Sequence, residues 1–331
     1  MFYKNARIFG TDFQFRRGAF EVKDGYFGVV CPKYVPANAI DLEGATVIPG
    51  LVDIHTYSNT SDLICSDYED LKATAQYLAK NGITAFVPTS QSLPCDGLAM
   101  AFAAAKQLQQ EAPEGHARLV GVQVDGPTED FAVFQALYNE SNGLIRMVSV
   151  APELPGAAEF AEKASRLCTV SVARTEATYA EAKNVFSRGA SHLSHLFMDM
   201  PGIHHRDPGV ISAAAENARV RAELICDGVQ VHPSAVRLAF SIFGPARMIL
   251  VSGPMDGEDA PKATLYDCLT NAILYGIPEA DAVRAATYNP ACALGMQNQI
   301  GAIATGKRAD FIVCRNDYTA PRVFLGGQEI T

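Results

Sequence analysis

The sequence predicts a (β/α)₈ TIM barrel to which both ends of the chain add a small β-sandwich-like domain. Three observations lead to this prediction. Eight apolar runs are typical of buried strands, helical stretches lie between most of them, and short alternating segments with turn residues occupy both ends. Parallel strands joined by helices build such a barrel. A doubly wound open sheet is the rival fold, but it usually carries an early glycine-rich phosphate turn, which this sequence lacks.

The bulk composition limits the partners and the compartment. The chain has 331 residues, of which 48% are hydrophobic, so it can bury a sizeable core. Its net charge of -9 argues against nucleic acid and an anionic membrane surface, because both call for a basic patch. The first residues lack a signal-peptide core and no apolar run could span a bilayer, so we expect a cytoplasmic protein. Eight cysteines without a C-x-x-C pair predict free thiols.

The two ends of the chain share one pattern. Short alternating runs with Gly and Asp between them fill residues 1–47, and residues 301–331 look alike. Such runs are typical of antiparallel strands. We therefore assign residues 1–47 and 301–331 to the small β domain and residues 48–300 to the barrel.

The first barrel strand is the clearest. A Pro49-Gly50 turn leads into an apolar run that ends in His55, and this predicts a buried parallel strand that brings His55 to its carboxyl end. A helix is predicted over 67–81 and is ended by Gly82. The other predicted strands cover residues 83–89, 119–125, 146–151, 169–174, 192–197, 221–227 and 247–252.

Polar side chains stand at several predicted strand tips, where barrel enzymes carry their chemistry. His55, Asp125 and His195 follow strands one, three and six, while Arg174 follows strand five and Gly253 follows strand eight. Histidine nitrogen and carboxylate oxygen are the ligands of catalytic zinc sites. A single barrel histidine is as often a hydrogen-bonded core residue as a ligand, but three tips in register favour a divalent-metal site.

A series of ordered motifs runs along the chain. They are Ile48-Pro49-Gly50-Leu51-Val52-Asp53-Ile54-His55, the segment 78–89, Asp125-Gly126-Pro127, Ala151-Pro152-Glu153, the segments 191–197 and 204–209, Ala286-Thr287-Tyr288-Asn289-Pro290-Ala291 and Gly306-Lys307-Arg308-Ala309-Asp310. With these motifs the chain resembles the N-acetylglucosamine-6-phosphate deacetylases of the amidohydrolase superfamily over nearly its whole length. The resemblance implies hydrolysis of an amide bond in amino-sugar metabolism, a zinc-type divalent metal and a homodimer.

The sequence departs from that family at the site. The resemblance implies a metal-binding Glu where this chain has Asp125, a metal-binding His at Arg174 and a phosphate-binding His at Gln230. A second ligand-type residue is expected at Tyr57. The family's Asp that activates the water and protonates the leaving amine is replaced by Gly253, so the catalytic residue of this chain is unknown.

Arg174 is the change with the clearest physical consequence. Arginine does not lose its proton in proteins and cannot ligate a metal. Two unit charges 4 Å apart interact by about 4 kcal/mol at an effective dielectric of 20, so a guanidinium would also repel a dication. Our hypothesis is that Arg174 replaces the metal and pairs with Asp125, which leaves His195, Asp125 and His55 as residual ligands and metal binding weak or absent. The alternative is that Arg174 points to solvent and a weak site survives.

Three residues are candidate substrate contacts. Arg206 lies in the loop that resembles the family's phosphate-binding loop, and its guanidinium suits a sugar phosphate. The alternative is an exposed loop arginine paired with Asp207. Gln230 takes the position of the family's phosphate histidine, and His232 precedes Pro233 at a predicted helix start.

Three functions follow from these observations. The first is a deacetylase of N-acetylglucosamine-6-phosphate or a related sugar, with family-type deacetylation weak or absent. The second is an amidohydrolase that acts on another small amide. The third is a barrel without catalysis that binds a sugar phosphate or serves as a partner subunit. Function depends on the site and not on the fold.

Overall fold

The structure is a computed structural model that describes residues 1–56, 67–91, 95–125, 130–253 and 263–330. Tyr57 lies outside these residues, and so does the side chain of Asp125. The strands are β1 (Phe2–Phe9), β2 (Phe15–Lys23), β3 (Tyr26–Val30), β4 (Ile40–Asp41), β5 (Thr46–Pro49), β6 (Leu51–Thr56), β7 (Ile83–Gln91), β8 (Arg118–Leu119), β9 (Val122–Asp125), β10 (Ile145–Val150), β11 (Thr169–Val172), β12 (His192–Leu193), β13 (Arg221–Ile225), β14 (Met248–Val251), β15 (Phe311–Cys314), β16 (Arg322–Leu325) and β17 (Gln328–Glu329). The helices are α1 (Tyr68–Lys80), α2 (Cys95–Glu111), α3 (Phe131–Ser141), α4 (Ala157–Ala164), α5 (Tyr179–Ser187), α6 (Gly209–Glu216), α7 (Pro233–Phe243), α8 (Leu265–Leu274), α9 (Glu279–Ala286) and α10 (Tyr288–Ala293).

The predicted (β/α)₈ barrel is confirmed. Eight parallel strands follow one another in the order β14-β13-β12-β11-β10-β9-β7-β6, and β8 adds to β7. The two end strands of this order, β6 and β14, lie in contact and close the barrel. Ser252 donates a 2.6 Å hydrogen bond across this seam to the Asp53 carboxylate.

The strands from both ends of the chain form a separate, mostly antiparallel sheet, as predicted. Its order is β17-β16-β15-β5-β1-β2-β3, with β4 paired to β1. The sheet has its own aromatic core, in which Tyr3 stacks on Phe20 and Phe311 stacks on Phe324 with ring centroids 4.9 and 4.5 Å apart. The exact division at residues 47/48 and 300/301 stays a prediction.

The stretch around Gly50 joins the two sheets. β5 pairs with β1 and β15 in the terminal sheet, and β6 pairs with β7 in the barrel. A Cβ at Gly50 would lie 2.2 Å from the Thr84 hydroxyl oxygen, so only glycine permits this close approach. The Gly50 N–H donates to the Asp310 carbonyl at 2.9 Å, which fixes the change of sheet.

The sixth barrel strand is shorter than the sequence predicted. β12 ends at Leu193, and the prediction of a strand through Phe197 is wrong. His195 and Phe197 have positive φ angles of 47° and 76°, which a strand does not permit. The Met198 N–H instead donates to the His195 carbonyl at 2.8 Å in a turn. The predicted third strand is also divided, into β8 and β9.

Helix α1 begins and ends close to its predicted bounds. The Asp67 side chain accepts the Asp70 N–H at its start, and Asn81 caps its end. The described cysteines, which are Cys31, Cys168, Cys226, Cys268, Cys292 and Cys314, are free thiols. Among the helices that the structure describes, none combines the length and the apolar character needed to cross a membrane.

Candidate active site

A buried carboxylate organises the interior of the barrel. Glu223 lies on β13 on the same face as Ile225, which belongs to the apolar cluster that fills the barrel. One carboxylate oxygen of Glu223 lies 2.8 Å from His55 Nδ1, and the other lies 2.8 Å from His192 Nε2. All three side chains are fully buried. Glu223 therefore connects β6 to β12 through charge-assisted hydrogen bonds.

His195 lies beside this cluster, at the carboxyl end of β12. Its ring stacks on the His55 ring with the centroids 4.0 Å apart, and its Nε2 is 3.9 Å from Glu223. The His195 side chain is 13% exposed, whereas His55 is buried. His195, Arg174 and Asp199 all have positive φ angles, of 47°, 46° and 48°. Non-glycine residues seldom adopt this backbone conformation, so the chain turns sharply at the ends of β11 and β12.

The electrostatics of the cluster suit metal ligation. Burial alone would raise the pKa of Glu223, but His55 and His192 outweigh it and hold that pKa well below its usual value. Burial, together with the charge of His55, lowers the pKa of His195 to about 3, and Arg174 adds to this lowering. His195 is therefore a neutral imidazole at pH 7, which is the form that binds metals.

Three donors in this cluster fit a divalent cation. Ligand atoms of His55, His195 and Glu223 all lie within 4.8 Å of one another. Two imidazoles and one carboxylate form a set that catalytic zinc sites use. His55 and His195 were predicted as residual ligands, and the structure brings them together. Both oxygens of Glu223 are, however, already engaged by histidines.

Glu223 is the residue that sequence reasoning missed. It lies within Arg221–Ile225, where its neighbours from Ala222 to Ile225 are apolar. A carboxylate inside a buried strand requires a partner, because burying it alone would cost several kcal/mol. That requirement was the available signal. The two histidines of the predicted sixth and first strands were the available partners.

The space next to Gly253 is filled. A Cβ at Gly253 would lie 2.6 Å from Gln230 Nε2 and 3.7 Å from an Asp227 carboxylate oxygen. Gln230 is held there because its Nε2 donates to Asp227 at 2.9 Å. The Asp227 carboxylate also accepts the Val229 and Gln230 N–H groups, each at 2.9 Å. Two departures from the family pattern, Gly253 and Gln230, are thus neighbours in space.

Arg174 is exposed at the carboxyl end of β11. Its charge acts on His195, which places it near the cluster. Whether Arg174 pairs with Asp125 stays a prediction, because the Asp125 side chain lies outside the described residues, as does Tyr57. Nearby, the Glu153 carboxylate accepts a 2.5 Å hydrogen bond from Thr175 and fixes the loop after β11.

Arg206 and His232 lie on loops after β12 and β13. Arg206 is exposed, and no described carboxylate, Asp207 included, forms an ion pair with its guanidinium. His232 caps helix α7, because its Nδ1 accepts the Ser234 N–H at 3.1 Å. This contact gives His232 a structural role, and its contact with substrate stays a prediction.

Asp53 should make the stability of the protein depend on pH. Burial raises the pKa of Asp53 from 3.8 to about 6, although Ser252 and the His55 N–H oppose the rise. The folded state therefore binds more protons than the unfolded state, so Asp53 contributes stability below pH 4 that is lost as the pH rises through 6. One pKa unit corresponds to about 1.4 kcal/mol, which sets an upper bound of about 3 kcal/mol. Asp53→Asn should remove this loss in urea unfolding between pH 4 and 7. An unchanged slope in the variant would contradict the assignment.

Comparisons with known proteins agree with the fold. The family model described as the amidohydrolase family matches residues 256–330. N-acetylglucosamine-6-phosphate deacetylase of Vibrio furnissii is 27% identical over 88% of this chain and 84% of its own length. N-acetylgalactosamine-6-phosphate deacetylase of Escherichia coli O157:H7 is 24% identical over 93% of both chains. The crystal structure of N-acetyl-D-glucosamine-6-phosphate deacetylase from Mycobacterium smegmatis superimposes with a TM-score of 0.89 over 100% of both chains, at 27% identity.

The parallel barrel and its terminal sheet have the fold of the solved deacetylase from Mycobacterium smegmatis, and residues 256–330 match the amidohydrolase family model. Over nearly its whole length the chain is similar to N-acetylglucosamine-6-phosphate deacetylases.

Proposed function

We propose that this protein is an amidohydrolase of amino-sugar metabolism that binds an N-acetylated amino-sugar phosphate in the barrel mouth and deacetylates it far more slowly than its relatives. The full-length match to sugar-phosphate deacetylases supports the substrate class. One solved relative from Mycobacterium smegmatis is in complex with N-acetyl-D-glucosamine-6-phosphate. The observation that carries the slow rate is that Gln230 fills the space beside Gly253.

Amide hydrolysis requires a group that takes a proton from the attacking water and gives one to the leaving amine. Positioned acid–base groups contribute about 10² to 10⁴ in rate. Gly253 offers no such group. Among the described residues, the carboxylate closest to where a Gly253 Cβ would lie belongs to Asp227. This carboxylate already accepts three hydrogen bonds, two from Gln230 and one from Val229.

His55, His195 and Glu223 would hold a divalent cation, and when bound it would polarise the amide carbonyl and activate a water. We expect weak binding for two reasons. Both Glu223 oxygens already accept hydrogen bonds from histidines, and the positive charge of Arg174 acts on His195. A zinc-type metal with less than one equivalent bound after purification is therefore part of the proposal.

Arg206 supplies the phosphate contact. Its guanidinium is exposed and has no ion-pair partner among the described residues, so it is available for a bidentate contact. Gln230, which replaces a histidine of the family, can donate a hydrogen bond but carries no charge. A homodimer and a cytoplasmic location remain predictions that rest on the family and on the composition.

Acetate release from N-acetylglucosamine-6-phosphate and N-acetylgalactosamine-6-phosphate tests the proposal. With zinc in excess, we expect kcat/KM about 10² to 10⁴-fold below that of the Mycobacterium smegmatis relative assayed in parallel. Arg206→Gln should weaken binding of the sugar phosphate about tenfold, because one charged contact contributes about 1.5 kcal/mol or more. A rate equal to the relative's would refute slow catalysis, and the absence of binding by either sugar phosphate would refute the substrate class.

One observation favours binding without catalysis as the second candidate. The Gln230–Asp227 hydrogen bond closes the position from which the family's acid acts. Thermal stabilisation by the sugar phosphate with no acetate released over a day would select this candidate. Turnover of another small amide would select an altered amidohydrolase instead.

A further inference from the structure

A second polar cavity lies at the amino-terminal end of the barrel, opposite the site described above. It has a volume of about 360 Å³, in the range of small-molecule sites. The residues that line it include the first residues of β11 and β13, Thr169 and Arg221, and also Arg146 near the start of β10. The cavity is therefore well separated along the strands from the carboxyl ends that carry His195.

The charge of this cavity is unusual for an acidic protein. Arg146, Arg166 and Arg221 line it, and no Asp or Glu is among its described lining residues. Arg166 is partly neutralised, because Glu162 lies 3.6 Å away. Arg146 and Arg221 form no ion pair with any described residue. Two uncompensated guanidinium groups on one cavity repel each other, and an anion between them would relieve that repulsion.

Two other arginines of this protein show how a close pair of guanidinium groups is neutralised. Arg118 and Arg308 share the Asp310 carboxylate, which lies 3.9 Å from Arg118 and 3.1 Å from Arg308. Arg146 and Arg221 share no such carboxylate among the described residues. An anion from solution could supply the missing negative charge in their cavity.

His192 adds a second, independent feature. It is fully buried, lines the cavity and is the register partner of Arg221. Its Nε2 is hydrogen bonded to the Glu223 carboxylate, so in the neutral ring Nδ1 is an acceptor. This Nδ1 is buried and has no hydrogen-bond partner among the described residues, and neither has the buried Nε of Arg221. A ligand that completes the cavity must therefore present both a negative charge and a hydroxyl donor.

We propose that this cavity is a second binding site, for a small phosphate that carries a hydroxyl group, with Arg146 and Arg221 on the phosphate oxygens and His192 accepting the hydroxyl. Monohydrogen phosphate is the simplest such ligand, and small sugar phosphates belong to the same class. Guanidinium groups suit phosphate because they donate in a planar fork. The proposal does not depend on the deacetylase assignment.

Calorimetric titration of the full chain with inorganic phosphate, at pH 7.5 and constant ionic strength, tests it. We expect Arg146→Gln and Arg221→Gln each to weaken phosphate binding tenfold or more, since a hydrogen bond to a charged group contributes about 1.5–3 kcal/mol. Arg188→Gln is the matched control, because Arg188 is exposed, pairs with Glu162 and does not line the cavity. Arg206→Gln controls for phosphate bound in the barrel mouth. Sulfate, which lacks a hydroxyl at this pH, should bind more weakly than phosphate.

Three outcomes would overturn the proposal. The first is that titration with phosphate releases or absorbs no heat beyond that of dilution. The second is that Arg206→Gln abolishes phosphate binding while Arg221→Gln retains it. The third is that sulfate and phosphate bind equally well. Arg146 is exposed, so its variant should fold even if the half-buried Arg221 variant does not. Thermal unfolding of each variant in chloride alone identifies a folding defect, and Arg221→Lys keeps the charge in the interior. A crystal of the full chain grown in phosphate should then show the anion against Arg146 and Arg221.

Discussion

Replacement of Glu223 by alanine should destabilise the protein by about 3–5 kcal/mol, the range expected when one partner of a buried ionic group is removed. Glu223 is fully buried and receives hydrogen bonds from His55 and His192 at 2.8 Å each. Without it, both imidazoles would lose their partner in the barrel interior. Urea unfolding at pH 7.5 measures the change in the free energy of unfolding.

Glu159→Ala is the control for this experiment. Glu159 is an exposed carboxylate in an i,i+4 pair with Lys163, and its removal should cost less than about 0.5 kcal/mol. Glu223→Gln keeps the shape and can still bond to one histidine, so its loss should lie between the two. If Glu223→Ala unfolded at the same urea concentration as Glu159→Ala, the carboxylate would not organise the barrel interior.

The fold was predictable because its determinants are local and repeated. Each barrel strand is an apolar run between turn residues. Helix α1 follows Asp67, a residue type that commonly caps helices, so its start can be predicted from the sequence. The prediction was wrong at the end of strand six, where His195 adopts a left-handed backbone conformation. Nothing local required that turn, because the pattern of residues 192–197 suits a strand equally well. The turn is set by contacts across the barrel, such as the Leu196 N–H to the Glu223 carbonyl at 2.9 Å.

The site was predictable in part for the same reason. His55 and His195 follow apolar runs, and the barrel geometry alone brings such positions together. Glu223 and the Gln230–Gly253 contact were not found, because each depends on which side chains meet across strands. In the sequence, Gly253 shows only that the family's acidic residue is missing. The structure adds that the Gln230 side chain occupies the space where a side chain at position 253 would begin. The sequence alone does not reveal that these two positions are neighbours.

In an Arg174→His background, two further substitutions made together should return acid–base catalysis to this barrel where one of them alone fails. Gly253→Asp alone would place its Cβ 2.6 Å from Gln230 Nε2, displace the Gln230–Asp227 hydrogen bond and put two carboxylates side by side. We expect a loss of about 1–3 kcal/mol in stability and no gain in rate. Adding Gln230→His removes the clash and supplies a group that can carry positive charge between the carboxylates, so the two changes should be coupled.

In an Arg174→His background, so that a family-type metal ligand is present, Gly253→Asp with Gln230→His should raise acetate release about 10² to 10⁴-fold, the range of a positioned acid–base group. Gly253→Asn with Gln230→His is the matched control, since the amide has the same shape but transfers no proton. It should recover stability without recovering rate. An equal rise in rate for the Asn control would mean that the cavity, and not the proton shuttle, limits this protein. A full rise with Gly253→Asp alone would mean that Gln230 does not obstruct the site. In that case the strands around Gly253 would have accepted the new carboxylate with Gln230 still in place.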